Sequence, residues 1–234
     1  MKNNKNPIEN LLFISKPVFI LINILIVGSI LFTLIYLYNF VKSYGLIIQF
    51  LFLGSTLYIT IFILVVEAAI LAFIARIIFP PLKEGEFTVK SKEFRIYSLH
   101  YAVHAIFYCS PLFSFFRFFG FYRLYNRIMG LKGGRYLLSV WSDIMDPYLV
   151  EIGENSSLGS YSLLVSHLVT GEKILIKKIK IGKNVTIGLK STILPGVEIG
   201  DNSVIGVGSL VLPNTRIGEN EFWAGVPAQK IKNL

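Results

Sequence analysis

The sequence predicts a mainly β fold, a parallel β-helix, preceded by α-helical segments apolar enough for a membrane. Three observations predict it. Pro17 to Val41 is uncharged, Leu46 to Phe79 is a second apolar run, and from Ile152 onward an aliphatic residue recurs every six positions. With 53% hydrophobic residues, the 234-residue chain is more apolar than a soluble domain usually is.

The first run is uncharged for 25 residues. As a helix at roughly 1.5 Å per residue it reaches about 37 Å, enough to cross a hydrocarbon core of about 30 Å with some tilt. It exceeds a signal-peptide core and no small-residue cleavage site follows, so an uncleaved anchor is expected. The second run is interrupted only by Glu67 and Arg76, predicts a span over about Leu46–Val66, and ends at Pro80-Pro81. Residues 1–79 are thus expected to form two transmembrane helices.

The net charge of +9 raises the question of nucleic acid, and its distribution answers it. Three of the nine excess positive charges lie in residues 1–45 and six in 80–139, whereas 140–234 are balanced. Basic residues flanking apolar segments fit anionic headgroups rather than a nucleic-acid footprint. Lys2, Lys5 and Lys16 precede the first run and only Lys42 follows it, which predicts both termini and the β-helix on the cytoplasmic side. Cys109 is the only cysteine and reads as an apolar filler among aromatics.

Residues 80–139 read as an interfacial helical linker, dense in aromatics and punctuated by Arg95, Arg117, Arg123 and Arg127. His100 and His104 stand at the i, i+4 spacing of metal ligands on a helix. No further ligand lies near them, so an aromatic cluster is the simpler reading and no metal is assigned.

The aliphatic series runs Ile152, Leu158, Leu164 and, after a gap, Ile181, Ile187, Ile193, Ile199, Ile205, Val211 and Ile217, with Trp223 extending it. A glycine follows most of these residues, and small or β-branched residues such as Ser191 and Ser203 come four places after them. A period of six fits neither a helix nor an alternating strand. Three short parallel strands per coil of about 18 residues stack each aliphatic side chain on the next, with the small residue at an inner corner and glycine supplying backbone freedom. Residues 140–234 are assigned to this domain. The next aliphatic residue after Leu164 is due at 170 but appears at 181, so Thr170–Lys180 are expected to leave the coil as a loop able to lean over a neighbouring subunit.

The segment "IGKNVTIGLKSTILPGVEIGDNSVIGVGSLVLPNTRIGENEFWAGVPAQKIK" resembles the hexapeptide-repeat acyltransferases. That resemblance implies a left-handed parallel β-helix, a homotrimer and acyl-CoA as co-substrate. "GVPAQKI" is similar to the end of the sugar O-acetyltransferase branch. More loosely, residues 80–234 resemble membrane-attached β-helix domains, including those ending ε-poly-lysine-synthetase-like peptide synthetases. The resemblance implies that His167, just before the insertion, takes the acceptor's proton. Imidazole suits that task, because an ordinary pKa near 6.5 leaves it mostly neutral at cytoplasmic pH.

The resemblance also implies donor contacts at Leu189 and Val207, after "IG" in "IGLK" and "IGVG", and at Gln229 and Lys232, where Gln229 replaces a common arginine. Lys190 and Lys230 are the compensating cations or ordinary surface charges. Asp146, Glu151 and Glu172 are the carboxylates near the first coil, able to orient His167 or hold a sugar, or else ordinary surface charge. The expected activity is acyl transfer, acetyl by resemblance, from acyl-CoA to a hydroxyl or amine of a saccharide or lipid-linked acceptor at the cytoplasmic face. A trimerising membrane scaffold and transfer from a carrier-protein thioester are the alternatives. A γ-carbonic-anhydrase-like zinc site fails because only His167 lies within the repeat.

Overall fold

The structure, a computed structural model, describes residues 24–25, 28–78, 81–108, 117, 121–138 and 141–234. Residues 17–23 and 26–27 of the expected first span, and Cys109, lie outside these residues. Residues 28–41 are helical and turn at Lys42–Ser43 into helix α1 (Leu46–Ile78). Within α1 the Thr56 and Ser55 hydroxyls donate to the Phe52 carbonyl at 2.6 and 2.9 Å, so polar side chains in an apolar helix satisfy themselves locally. Among the described residues no helix is long and apolar enough to cross a membrane.

A short strand β1 (Gly85–Thr88) leads into helix α2 (Lys92–Tyr108), and α3 (Tyr122–Ile128) follows. Part of the expected interfacial linker packs against the β domain. Phe94, Tyr97, Ser98 and His104 of α2 and Tyr122, Tyr125 and Asn126 of α3 are buried. Arg117 ties this layer down by an ion pair to Asp143, its guanidinium standing 4.7 Å over the Tyr122 ring.

The β domain is a parallel β-helix of three sheets. Its first coil is β2 (Lys132–Gly133), β3 (Leu137–Leu138) and β4 (Asp143–Ile144); its second is β5 (Val150–Ile152), β6 (Ser157–Leu158) and β7 (Leu163–Leu164). Then come β8 (His167–Thr170) and β9 (Lys173–Ile176). The third coil is β10 (Ile179–Ile181), β11 (Thr186–Ile187) and β12 (Thr192–Ile193), and the fourth β13 (Glu198–Ile199), β14 (Val204–Ile205) and β15 (Leu210–Val211). β16 (Arg216–Ile217) and β17 (Glu221–Gly225) begin a fifth, and β18 (Ala228–Asn233) folds back antiparallel on β17.

Register explains the rhythm. Ile181 pairs with Ile199 and Ile199 with Ile217; Ile187 pairs with Ile205 and Ile205 with Trp223. The stacked aliphatic side chains from Ile152 to Ile217 fill one buried cluster. The serines at the inner corners donate to carbonyls of the neighbouring coil, Ser191 to Gly206 and Ser203 to Gly218, each at 2.7 Å. A small residue is therefore required there, and a hydroxyl satisfies a carbonyl that the stacking buries.

The glycines after the aliphatic residues serve a different purpose from the one expected. Gly188 has no left-handed backbone; a Cβ on it would lie 2.7 Å from the Gly206 carbonyl carbon and the Ile205 oxygen. Clearance between stacked coils, not backbone freedom, selects glycine. The left-handed corners belong mainly to asparagines, Asn155, Asn184, Asn202, Asn214 and Asn220, whose short polar side chains tolerate that conformation. Asn184 Nδ2 donates to Asn202 Oδ1 at 3.0 Å, linking two coils.

The insertion is not a free loop. Ile152 pairs with Ile181 and Leu164 packs in register with Ile193, so the second and third coils are eleven residues further apart in sequence than the later ones. The extra residues form the β8–β9 hairpin, and β9 also pairs antiparallel with β1. Ile174 and Ile176, alternating inward along β9, share a cluster with Val89, Phe94, Tyr97 and Leu149 of the same chain. The hairpin is thus the seam that joins α2 to the β-helix.

Candidate active site

His167 opens β8, at the corner between the sheet of β7 and the sheet of β10. Its Nδ1 lies 2.6 Å from Asp146 Oδ2. Asp146 follows β4 and its side chain is fully buried, while that of His167 is 19% exposed. Three further donors converge on the carboxylate. The Tyr97 and Tyr148 hydroxyls each donate to Oδ1 at 3.1 Å, and the Ser166 backbone N–H donates to Oδ2 at 3.2 Å. Of the three carboxylates expected near the base, Asp146 is the one in contact. Glu151 pairs with Lys132 at 3.6 Å and Glu172 with Lys90 at 3.7 Å, both near the surface.

The dyad has a chemical consequence. A buried carboxylate accepting from Nδ1–H fixes the imidazole tautomer and leaves Nε2 free of a proton, able to accept one. Tyr97 and Tyr101 wall the ring at centroid distances of 5.3 and 5.5 Å, Tyr101 edge-on. Burial first, and then the Asp146 charge, hold the Tyr97 and Tyr148 phenols well above their ordinary pKa, so both stay hydrogen-bond donors. Sequence reasoning missed these two tyrosines. Neither carries a motif, and Tyr97 reaches the site only because α2 docks on the β-helix.

His100 and His104 do not converge on a metal. The His104 Nδ1 meets the Tyr125 hydroxyl at 2.9 Å, and the His100 ring lies 5.7 Å from that of Tyr148. Burial lowers the His104 pKa to about 4, Asp146 partly opposing, so this ring is neutral at physiological pH. Among the described residues no group of three or more histidine, cysteine or acidic side chains is placed to hold a metal ion.

Leu189 and Val207 are exposed on another corner, between the sheets of β11 and β12 and of β14 and β15. Lys190 sits beside Leu189 in a left-handed conformation. Gln229, Lys230 and Lys232 lie on β18 opposite Ala224, Trp223 and Phe222 of β17. Lys230 is engaged by Glu221, whose carboxylate also accepts from the Trp223 indole at 2.7 Å. Within one chain, Leu189 and Val207 occupy a different corner from His167, separated from it by the sheet of β4, β7, β12 and β15.

The hexapeptide repeat of succinyl-transferase matches residues 178–213. The Bacillus subtilis (strain 168) protein YvoF, whose name assigns it to the acetyltransferases, is 35% identical over 77 residues, 32% of this chain and 45% of its own length. The chain therefore aligns with less than half of that relative. Among solved structures, a galactoside acetyltransferase in complex with coenzyme A is 30% identical, covering 47% of this chain and 68% of its own, at a TM-score of 0.39. A hexapeptide-repeat acetyltransferase from Vibrio cholerae is 21% identical, covering 44% and 61%, at 0.41. In its coil register, its stacked glycines and the matched segment 178–213, the β domain is similar to hexapeptide-repeat proteins.

Proposed function

We propose that this protein is a membrane-attached acyltransferase that moves an acyl group, acetyl in the simplest case, from acyl-CoA to a hydroxyl or amine of a saccharide-type acceptor. The observation that carries the reading is the 2.6 Å contact between His167 and the buried Asp146. His167 Nε2 removes the acceptor proton as the acceptor oxygen or nitrogen attacks the thioester carbonyl. The resulting imidazolium, held against Asp146, returns the proton to the departing thiolate. The match of residues 178–213 to the hexapeptide repeat and the acetyltransferase name of the aligned relative support the donor.

The separation of His167 from the corner of Leu189 and Val207 supports a site shared between copies, with the left-handed β-helices assembled as a homotrimer. A second copy brings its donor corner to the first copy's base. The exposed Trp141 and Tyr161 rings, stacked at 6.1 Å with an interplanar angle of 11° on the corner of Leu189 and Val207, offer a flat apolar face to a pyranose. Apolar side chains cover the outside of the N-terminal helices. Phe32, Ile47 and Leu51 are 74, 77 and 71% exposed, which supports lipid around this part of the chain and a lipid-linked acceptor at the cytoplasmic face.

The test is turnover beside binding. With labelled acetyl-CoA and lipid-linked sugars, His167→Ala lowers turnover by about 10²–10⁴-fold, the worth of a positioned general base, while acetyl-CoA still binds. Unchanged turnover overturns the role of His167. Failure of the unaltered protein to bind acyl-CoA favours a trimerising scaffold or a carrier-protein thioester as donor.

A further inference from the structure

We infer that Tyr97 and Tyr148 are positioning residues that lock the Asp146 carboxylate in one orientation and thereby set the plane of the His167 ring. The inference rests on the acyl-transfer reading for its consequence on rate, but not for its geometry. Asp146 has two oxygens and four donors. Both phenols occupy Oδ1, at 3.1 Å each, leaving Oδ2 for Ser166 N–H and His167 Nδ1. A carboxylate held only by His167 and one backbone amide is free to turn and exchange oxygens. With both phenols on Oδ1, turning it breaks two hydrogen bonds to a fully buried carboxylate, where each lost bond is costly.

The two tyrosines come from different parts of the fold. Tyr148 lies in the turn Pro147–Leu149 that follows Asp146, so the β-helix alone supplies it. Tyr97 comes from α2, where it and Phe94 share a buried cluster with Ile174 and Ile176 of the hairpin strand β9. The base is therefore fully oriented only when α2 is docked. The groups facing the dyad are Tyr97, Tyr101 and His100 from α2, Tyr148 and Ser166 from the β-helix, with His104, Arg117 and Tyr125 behind them.

The experiment compares Tyr97→Phe, Tyr148→Phe and the double variant, which keep both rings and remove only the hydroxyls. The chain has three histidines, so a ¹⁵N-histidine label yields three ring systems, and His167→Ala assigns the one of interest. In the unaltered protein a single Nδ1–H signal for His167 is expected, and in the double variant that signal shifts and broadens as the carboxylate gains freedom. Turnover falls by about 10- to 10²-fold with KM unchanged, the cost of a base held about 1 Å out of place. A His167 ring signal identical in all four proteins overturns the inference, whatever the activity. If no acyl transfer is detected even in the unaltered protein, the functional reading fails and the spectra alone decide the positioning role. If the double variant fails to fold, either single variant gives the same reading at smaller amplitude.

Discussion

The Tyr97 hydroxyl donates to Asp146 Oδ1 at 3.1 Å across 49 residues of sequence, and the other oxygen of that carboxylate holds His167. One buried side chain therefore joins the helical half of the protein to the candidate base. Mutations at this junction separate orientation, protonation and folding.

Asp146→Asn keeps the shape of the side chain but replaces an acceptor-only group by an amide. His167 Nδ1–H loses its anionic partner, and the ring is free to take the tautomer that protonates Nε2. Turnover is expected to fall by about 10²–10⁴-fold with acyl-CoA affinity unchanged, as read by steady-state kinetics and by titration calorimetry. Wild-type turnover would remove Asp146 from the chemistry.

His104 gives a pH signature of stability. Burial lowers its folded pKa to about 4 from the ordinary 6.5, so the unfolded chain binds the extra proton first as pH falls. Stability from the neutral ring is complete above pH 6.5 and is lost as pH drops toward 4, to a limit of order 3 kcal/mol. His104→Gln, which keeps a polar partner for Tyr125 but cannot titrate, flattens the decline in Tm between pH 6.5 and 4. An equally steep decline in that variant assigns the acid sensitivity elsewhere.

The two kinds of corner position respond in opposite ways to substitution. Gly188→Ala drives a methyl into the Gly206 and Ile205 backbone and is expected to cost about 1–3 kcal/mol. Gly208, at φ +67° with open space around it, accepts Asn within about 0.5 kcal/mol, as the asparagines of other coils do. Thermal melts of the two variants side by side test the assignment; equal destabilisation contradicts it.

Co-expression tests whether His167 and the donor corner of one site belong to different copies. His167→Ala and Val207→Trp are each expected to be inactive alone. Mixed at random in a trimer with shared sites, they restore about a quarter of the native sites, because each site draws one wall from each of two copies. Activity that stays at background in the mixture, with both chains shown to co-assemble, places the whole site within one chain.

How much of this was legible in the sequence depends on the range of the interaction. The six-residue rhythm specified the coil because stacking is periodic: each residue from Ile181 to Ile217 meets its own counterpart one coil away, so a local pattern encodes a repeated contact. The same pattern exposed the eleven-residue gap and singled out His167 beside it. The first coil was harder to see, since β2 to β4 carry no regular glycine and pair with the second coil in a longer step, Ile144 with Leu164.

The purpose of the glycines and the fate of the insertion were decided by the tertiary structure. Whether Gly188 is there for φ or for clearance depends on the backbone of the next coil, and whether Thr170–Lys180 hangs free depends on β1, some 85 residues upstream by its register. Among three plausible carboxylates, Asp146 was selected by burial and by four donors from three separate segments, none of which announces itself by spacing. The sequence by itself determined the β-helix and the apolar N-terminal runs, because those rest on periodicity and composition, and its family resemblance pointed to the candidate base. Only the tertiary structure decided what orients that base, because a hydrogen bond between α2 and the turn after β4 exists only once both have packed on the same core.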